Sequence, residues 1–278
     1  MTTSLDVLYE DNHLLVVNKP AGIATMGAES GPTVHSLAAE YLRRKYNKPG
    51  RVFVGIVSRL DTMTSGVIVL ARTSKAASRL SAQFAAKTEL NTDSPNDLNA
   101  ESSSPSTRQQ TGPRKWYLAA VEGHLDEPRA TFLDQIRKDD AARRMRLVGP
   151  NIPDSQRAAL RYGVMEEGND WTTIAIELLT GRKHQIRVQF ADRGHPVIGD
   201  RKYKSSRSFP KGIALHSWRL QITHPTKKIP ITFEAPLPSH WKAFRRRLQS
   251  SNEVRQQVEQ ALNCRLDPDQ REASEDNS

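Results

Sequence analysis

The sequence predicts an α+β protein built around a largely antiparallel sheet. Two short apolar runs bounded by turn residues, Leu14–Val17 and Val67–Leu70, are typical of buried strands. Polar and apolar residues alternate between Trp171 and Leu178, as in an antiparallel strand with one face in solvent. Helical patterns are fewer and do not alternate regularly with the strands, which argues against a parallel α/β fold.

The other elements follow from periodicity and turn residues along the chain. They are helices near 33–46, 75–87 and 183–193, a strand over Tyr117–Val121, a strand that begins at Gln221, and a basic amphipathic helix from Trp241 onward. Gly194 is the residue expected to end the third helix.

Two polar, acidic segments interrupt this pattern. Residues 88–113 contain no aromatic side chain and little to bury, so we expect a disordered surface insertion there. The last dozen residues are rich in Asp and Glu and are expected to form a disordered tail. The predicted organisation is therefore one domain over 1–245, followed over 246–278 by a C-terminal helix and the acidic tail.

Composition excludes several classes of protein. The N-terminus lacks the pattern of a signal peptide, and no apolar run approaches the roughly 20 residues that a membrane helix needs. A single cysteine, Cys264, excludes an intramolecular disulfide and a Cys-based zinc site. We expect a soluble protein of the reducing cytoplasm.

The net charge of the whole chain is +10. The two acidic segments are net negative, so the rest of the chain carries a larger positive charge than this total. Such a surplus indicates a polyanionic partner, which includes RNA, DNA and a membrane surface.

The segment Val57–Ala71 places one carboxylate, Asp61, in a polar turn between two apolar runs. Arg59 supplies a charge partner close by in the sequence, and the turn that ends at Gly66 can present the carboxylate.

A second candidate lies where a glycine turn leads from the alternating strand into the third helix. His184 and Arg187 are three residues apart and are expected to share a helix face. Basic residues in a first helical turn oppose the macrodipole and indicate an anion there, although a solvated basic helix has the same pattern. Two further stretches remain open. They are the turn-rich loop Gly194–Asp200 and the aromatic and basic group Lys115–Tyr117.

Taken together, these segments resemble the RluA-like pseudouridine synthases. The segments that carry the resemblance, in chain order, are Leu8–Gly22, Arg59–Gly66, Tyr117–Gly123, Thr180–Arg187, Gly194–Asp200, Leu215–His216 and Glu234–Pro236. The resemblance covers about residues 7–240 and is broken only by the polar insertion.

This resemblance implies the pseudouridine synthase fold, a mainly antiparallel mixed sheet flanked by helices and loops with the active-site cleft between two halves. It implies an isomerase that acts on rRNA or tRNA, breaking the N1–C1′ bond of uridine and forming a C5–C1′ bond. The reaction has no redox step, so we expect no cofactor and no metal. Because the matching strand begins near Leu8, we expect no S4-type RNA-binding module before it, and we expect a monomer without an obligatory protein partner.

The resemblance also assigns residues. Asp61 is the implied nucleophile, Arg187 its cation, and Tyr117 the residue that stacks on uracil or helps to move a proton. A cation within ~4–6 Å favours the ionised form of a carboxylate. Arg59 is expected to contact RNA or to fill the space left by a flipped nucleotide. The implied RNA-binding residues are Lys19, Arg182, Lys183 and His184.

Some alternatives stay open. Residue types do not distinguish attack of Asp61 on C1′ from removal of a ribose proton to give a glycal. Ser58 stands where most relatives carry His, which is expected to alter the setting of the loop. A catalytically idle RNA-binding scaffold is the second functional hypothesis. An aspartyl phosphohydrolase is the third, although Met63 occupies the position of its second Asp.

Overall fold

The structure is a computed structural model that describes residues 5–28, 30–86, 112–244 and 250–266. Residues 88–111 of the expected insertion and all of the acidic tail lie outside these ranges. Within them, no helix is both long and apolar enough to cross a membrane.

The described chain forms a mixed sheet of eleven strands, as an α+β fold requires. The strands are β1 Val7–Glu10, β2 Leu14–Lys19, β3 Gly55–Ile56, β4 Ser65–Ala71, β5 Arg114–Glu122, β6 Arg129–Asp139, β7 Arg144–Val148, β8 Gln156–Glu167, β9 Trp171–Leu178, β10 Leu215–Thr223 and β11 Pro230–Glu234. The helices are α1 Val34–Lys45, α2 Ser74–Ala86, α3 Gln185–Asp192 and α4 Ser251–Leu262. Short 3-10 helices cover Arg201–Tyr203 and Ser239–Phe244.

The strand order is β1-β2-β4-β10-β5-β9-β8-β6-β7, with β3 paired to β4 and β11 paired to β10. Among the strands described, only β4 and β10 pair in parallel, and every other pair is antiparallel. This parallel seam joins two halves of the sheet.

The N-terminal half explains why β2 and β4 read as continuous apolar runs. Val16 and Val69 pack with α2 in one core cluster, whereas Val17 and Leu70 pack with α1 in another. Successive residues of a strand point to opposite faces, so a strand covered on both faces needs apolar residues throughout. Helix α1 begins with a capping box in which the Thr33 side chain accepts from the backbone of Ser36.

The expectation of a half-exposed strand over Trp171–Leu178 is wrong, because all eight residues of β9 are buried. Its polar residues are instead satisfied internally. The Thr173 hydroxyl donates to the carbonyl of Phe244, and Glu177 accepts from Arg114 and Arg161. The polar residues of the alternating pattern are therefore buried, and each has the hydrogen-bond partner that a buried polar group requires.

The C-terminal helix also differs from the prediction. Of the helix expected from Trp241 onward, residues 241–244 lie in a 3-10 helix and residues 245–249 lie outside the described ranges. Helix α4 begins at Ser251, after a capping box formed by Ser250 and Glu253. Helix α4 packs on β8 and β9, and a Cβ at Gly163 would lie 1.9 Å from the carbonyl oxygen of Ala261. The domain division at residue 245 stays a prediction.

The seam between β4 and β10 is held by a buried polar pair and a glycine. The Ser65 hydroxyl lies 2.8 Å from His216 Nδ1, and His216 Nε2 lies 3.1 Å from the carbonyl oxygen of Ala235. Burial lowers the pKa of His216 to about 4, so the ring stays neutral and its Nε2–H donates to Ala235. Gly66 has φ +114°, and a Cβ there would lie 2.2 Å from the carbonyl oxygen of Ser217.

We expect Gly66→Ala to lower the free energy of unfolding by roughly 3 kcal/mol, because it forces the two strands apart and strains a left-handed backbone. For a domain of this size that corresponds to a fall in Tm of about 6–12 °C. Thermal unfolding followed by circular dichroism measures it. Gly149→Ala is the matched control, since a Cβ there meets open space. Equal Tm values for the two variants would refute the steric account.

Candidate active site

Asp61 lies in the loop between β3 and β4, at the end of the parallel seam. The loop is fixed by the segment that follows β2. Thr25 Oγ1 accepts from the Leu60 amide at 3.2 Å, and the Thr62 carbonyl accepts from Gly22 at 2.8 Å. These contacts hold the carboxylate in place before any ligand arrives.

Lys19 reinforces the same loop rather than binding RNA. Its side chain is fully buried, and Nζ donates to the carbonyl oxygens of Pro20, Ile23 and Thr62 at 3.0, 2.8 and 3.1 Å. Burial lowers the pKa of Lys19 to about 7, and the charge of Asp61 opposes that shift. The structure therefore contradicts the prediction that Lys19 holds phosphate, because all three ammonium protons are already used.

Arg187 joins Asp61 to a second carboxylate. Its NH1 donates to Asp61 Oδ2 at 2.8 Å, while Nε and NH2 donate to the two oxygens of Asp200 at 2.6 and 2.9 Å. Arg187 and Asp200 are buried, whereas the Asp61 side chain is 26% exposed. The predicted pairing of Asp61 with Arg187 is present, and a two-point contact with Asp200 fixes the guanidinium plane.

His184 occupies a different place from the one predicted. It occupies the N-cap position of α3 in a left-handed conformation, with φ 52°, and the helix begins only at Gln185. The residues preceding it are therefore loop residues and not a basic first turn. Its Nε2 nevertheless lies 3.8 Å from Asp61 Oδ2.

The tautomer of His184 follows from its second contact. The Tyr203 hydroxyl accepts from the Met145 amide at 2.9 Å and lies 2.9 Å from His184 Nδ1. Burial, aided by Arg187, lowers the pKa of His184, while Asp61 acts in the opposite direction. A neutral ring accepts the tyrosine proton at Nδ1, so the Nε2–H points towards Asp61.

Tyr117 lines a cavity of about 430 Å³ together with Asp61. The tyrosine is buried, and burial raises the pKa of its hydroxyl to about 12, so it stays protonated at neutral pH. The cavity lies within the size range of small-ligand sites. Its charged lining residues are Arg59, Asp61, Lys115, Arg182, Lys183 and Arg187.

The predicted RNA-binding residues other than Lys19 border this cavity in different ways. Arg59 and Lys183 are exposed. Arg182 is half-buried and its Nε donates to the carbonyl of Arg157 at 3.0 Å. Arg59 and Lys183 are thus the better placed for solvent-side phosphates.

Sequence reasoning missed the importance of Asp200, Tyr203 and Lys115. Asp200 is the last residue of the turn-rich loop Gly194–Asp200, whose sequence is as typical of a structural loop as of a functional one. Tyr203 follows it in a 3-10 helix. Lys115 had a usable signal, since it precedes Tyr117 by two residues and so shares its strand face. Among the described residues, no three His, Cys, Asp or Glu side chains come together as metal ligands. The cofactor-free reaction stays a prediction.

Comparison with known proteins agrees with this geometry. The family described as RNA pseudouridylate synthase matches residues 13–192. The chain is 34% identical over 241 residues to the uncharacterized RNA pseudouridine synthase YhcT of Bacillus subtilis, covering 86% of this chain and 70% of that one. It is 32% identical over 242 residues to the dual-specificity RNA pseudouridine synthase RluA of Escherichia coli, covering 84% and 93%.

Solved structures show the same fold. Human RNA pseudouridylate synthase domain containing 1 superposes with a TM-score of 0.66 at 24% identity, over 96% of this chain and 97% of that chain. Its identity is low, so this likeness bears on the fold alone.

A carboxylate held by a buried arginine beside a tyrosine-lined cavity, on a mixed sheet with a parallel seam, matches the expected synthase architecture. The chain belongs to the RNA pseudouridylate synthase family, and it is an isomerase that acts on RNA. The phosphohydrolase alternative is therefore wrong.

We expect Asp200→Asn to lower the free energy of unfolding by about 3–5 kcal/mol, because it leaves a buried guanidinium with one carboxylate in place of two. Urea unfolding measures the loss. Asp170→Asn is the control, since that carboxylate is exposed and its pair with Arg207 contributes about 1 kcal/mol or less. If both variants unfold at the same urea concentration, Asp200 is not the anchor of Arg187.

Proposed function

We propose that this chain converts specific uridines of ribosomal or transfer RNA to pseudouridine, with Asp61 as the carboxylate that acts at the ribose. The observation that carries the proposal is the contact between Asp61 and Arg187 at the edge of the cavity. A relative from Vibrio cholerae, 31% identical, is named ribosomal large subunit pseudouridine synthase C, which supports an rRNA substrate.

The two oxygens of Asp61 have different surroundings. Arg187 NH1 and His184 Nε2 both lie on the side of Oδ2, at 2.8 and 3.8 Å. No described residue donates a hydrogen bond to Oδ1, so this oxygen is the one available to substrate. Arginine stays protonated at any physiological pH, so the carboxylate has a permanent cationic partner. An ionised oxygen beside C1′ serves both attack on C1′ and removal of a ribose proton.

Tyr117 supplies the surface for the uracil. Its ring offers a face for stacking, which is worth ~1–3 kcal/mol per base. Its protonated hydroxyl supplies a hydrogen-bond donor and a proton during the rearrangement. A cavity of this kind also retains the detached base until the new bond forms.

The cavity accepts one nucleotide, so a uridine within a stem must leave its stack to react. Arg59 is exposed at the same cavity and is suited to the phosphate backbone or to the space that the nucleotide vacates. We propose that the protein works as a monomer in the cytoplasm, in agreement with its single cysteine.

We expect Asp61→Asn to reduce pseudouridine formation below ~10⁻³ of the wild-type rate while RNA affinity changes less than about threefold, because the isosteric amide removes only the reactive charge. Asp200 still pairs Arg187 in this variant, so the fold is retained. Release of tritium from rRNA and tRNA transcripts made with [5-³H]uridine measures the reaction.

Asp126→Asn is the matched control, since Asp126 is exposed and does not line the cavity. An active Asp61→Asn enzyme would exclude Asp61 as the reactive carboxylate. A wild-type protein that binds these transcripts but releases no tritium from any of them would favour the idle-scaffold hypothesis.

We expect Tyr117→Phe to slow tritium release by about 10²–10⁴-fold with little change in RNA affinity, because the ring stays and the hydroxyl proton is lost. Tyr117→Leu is expected to weaken binding as well, by ~1–3 kcal/mol. Tyr46→Phe, at an exposed tyrosine outside the cavity, is the control. Full activity of Tyr117→Phe would leave stacking as the only role of the residue.

A further inference from the structure

Lys115 lies beside the tyrosine of the site and has no place in the mechanism so far. It precedes Tyr117 by two residues on β5, and both side chains line the cavity. Residues two apart on a strand point to the same face and lie about 6.6 Å apart. A base stacked on Tyr117 is therefore within reach of the Lys115 side chain.

The surroundings of the Lys115 ammonium are apolar, and the part of the chain that the structure describes places no counter-charge there. Its Nζ lies 4.7 Å from the ring centroid of Phe84, and the neighbouring strands place Leu178 and Leu220 opposite it. No carboxylate of the described residues lies within ion-pair distance of Nζ. A Cβ at Gly181 would come within 3.3 Å of Nζ, so the missing side chain leaves room for the ammonium.

An ammonium held among apolar groups without an anion is unfavourable. Lys115 is partly buried, so desolvation carries a cost that Phe84 offsets only in part, since a cation–π contact contributes ~0.5–2 kcal/mol. Such a cation is best explained by an anion that the substrate supplies.

The reaction itself creates such an anion. When the N1–C1′ bond breaks, its electron pair stays with N1, and the negative charge spreads over the carbonyl oxygens O2 and O4. The charge lasts until C5 bonds to C1′. That step releases the Asp61 carboxylate if Asp61 had bonded to C1′, or returns the ribose proton from Asp61 if a glycal had formed. C5 then loses its proton and N1 gains one. A fixed donor at a developing charge stabilises the transition state more than the ground state.

We propose that the Lys115 ammonium donates a hydrogen bond to a carbonyl oxygen of the target uracil and stabilises the charge on the detached base. This inference rests on the proposed function. Lys115 is then a catalytic residue, whereas Arg59 and Lys183, which are exposed, contact phosphates. The phosphate charge is the same before and during the reaction, so those contacts affect binding and not the chemical step.

The test compares Lys115→Met and Lys115→Arg with the wild type in single-turnover tritium release from [5-³H]uridine rRNA and tRNA transcripts. Methionine keeps most of the side-chain length and removes the charge. We expect Lys115→Met to lower the rate at saturating enzyme by roughly 10²-fold. We expect Lys115→Arg to recover at least about a tenth of the wild-type rate, and RNA affinity to change less than threefold in both.

Salt dependence separates the proposal from a phosphate contact. Losing one phosphate contact reduces the slope of log affinity against log salt by about 0.7 for a single strand. We expect that reduction for Lys183→Met and not for Lys115→Met. A Lys115→Met variant with an unchanged single-turnover rate, or with a loss confined to affinity and salt slope, overturns the proposal.

The pH profile gives a second readout. Burial lowers the pKa of Lys115 to about 8, so its ammonium is lost as the pH rises past 8, and the wild-type rate should fall there. The other charged groups that line the cavity are Arg59 and Asp61 from the loop before β4, Arg182 and Lys183 from the loop before α3, and Arg187 on α3. Tyr117 and His184 are the other titratable side chains there, and Lys115→Arg leaves all of these groups unchanged. Lys19 is present in every variant, so its titration produces no difference between them.

The fall above pH 8 should be absent in Lys115→Arg, and an identical fall in both proteins overturns the proposal. Failure of the proposed function has a different signature: the wild-type protein would then release no tritium, or Asp61→Asn would stay active, whatever the Lys115 variants do.

Discussion

The site depends on one buried cation shared between two carboxylates. Arg187 is almost completely buried, and a buried guanidinium without anions would be strongly destabilising. Asp200 fixes its plane through two hydrogen bonds, which leaves NH1 directed at Asp61. The ion pair between Arg187 and Asp61 is therefore preorganised before RNA binds. The Asp61 carboxylate is 26% exposed and is held by this fixed cation, so it stays accessible to a sugar.

The parallel seam of the sheet brings these groups together. Asp61 precedes β4, Tyr117 lies on β5, and β10 runs between those two strands. Close contact of β4 and β10 requires Gly66, and the neutral His216 holds Ser65 across the seam. Lys19, the last residue of β2, then ties the segment after β2 to the Asp61 loop, because its ammonium donates to the carbonyl oxygens of Pro20 and Ile23 and to that of Thr62. The polar groups buried here fix a loop, and Lys19 is one of them and not an RNA contact.

The cavity has five cationic side chains and a single carboxylate among its described lining residues. Arg187 neutralises Asp61, so a net positive field remains for a polyanion. The cations differ in their surroundings, from exposed Arg59 and Lys183 to Lys115 against the Phe84 ring. An exposed cation contributes mainly to RNA affinity, and salt screens that contribution. A cation in an apolar setting interacts strongly with a charge that develops during the reaction.

The sequence by itself determined the α+β class, the core strands β2 and β4, and the motifs that carry Asp61, Tyr117 and Arg187. Local patterns sufficed because strand period and turn residues act over a few positions. It did not identify Asp200 as the anchor of Arg187 or the burial of Lys19, because both depend on contacts between distant segments. Only tertiary structure decided that β9 is covered on both faces and that α4 packs against Gly163, since burial is a property of the neighbours that a strand acquires.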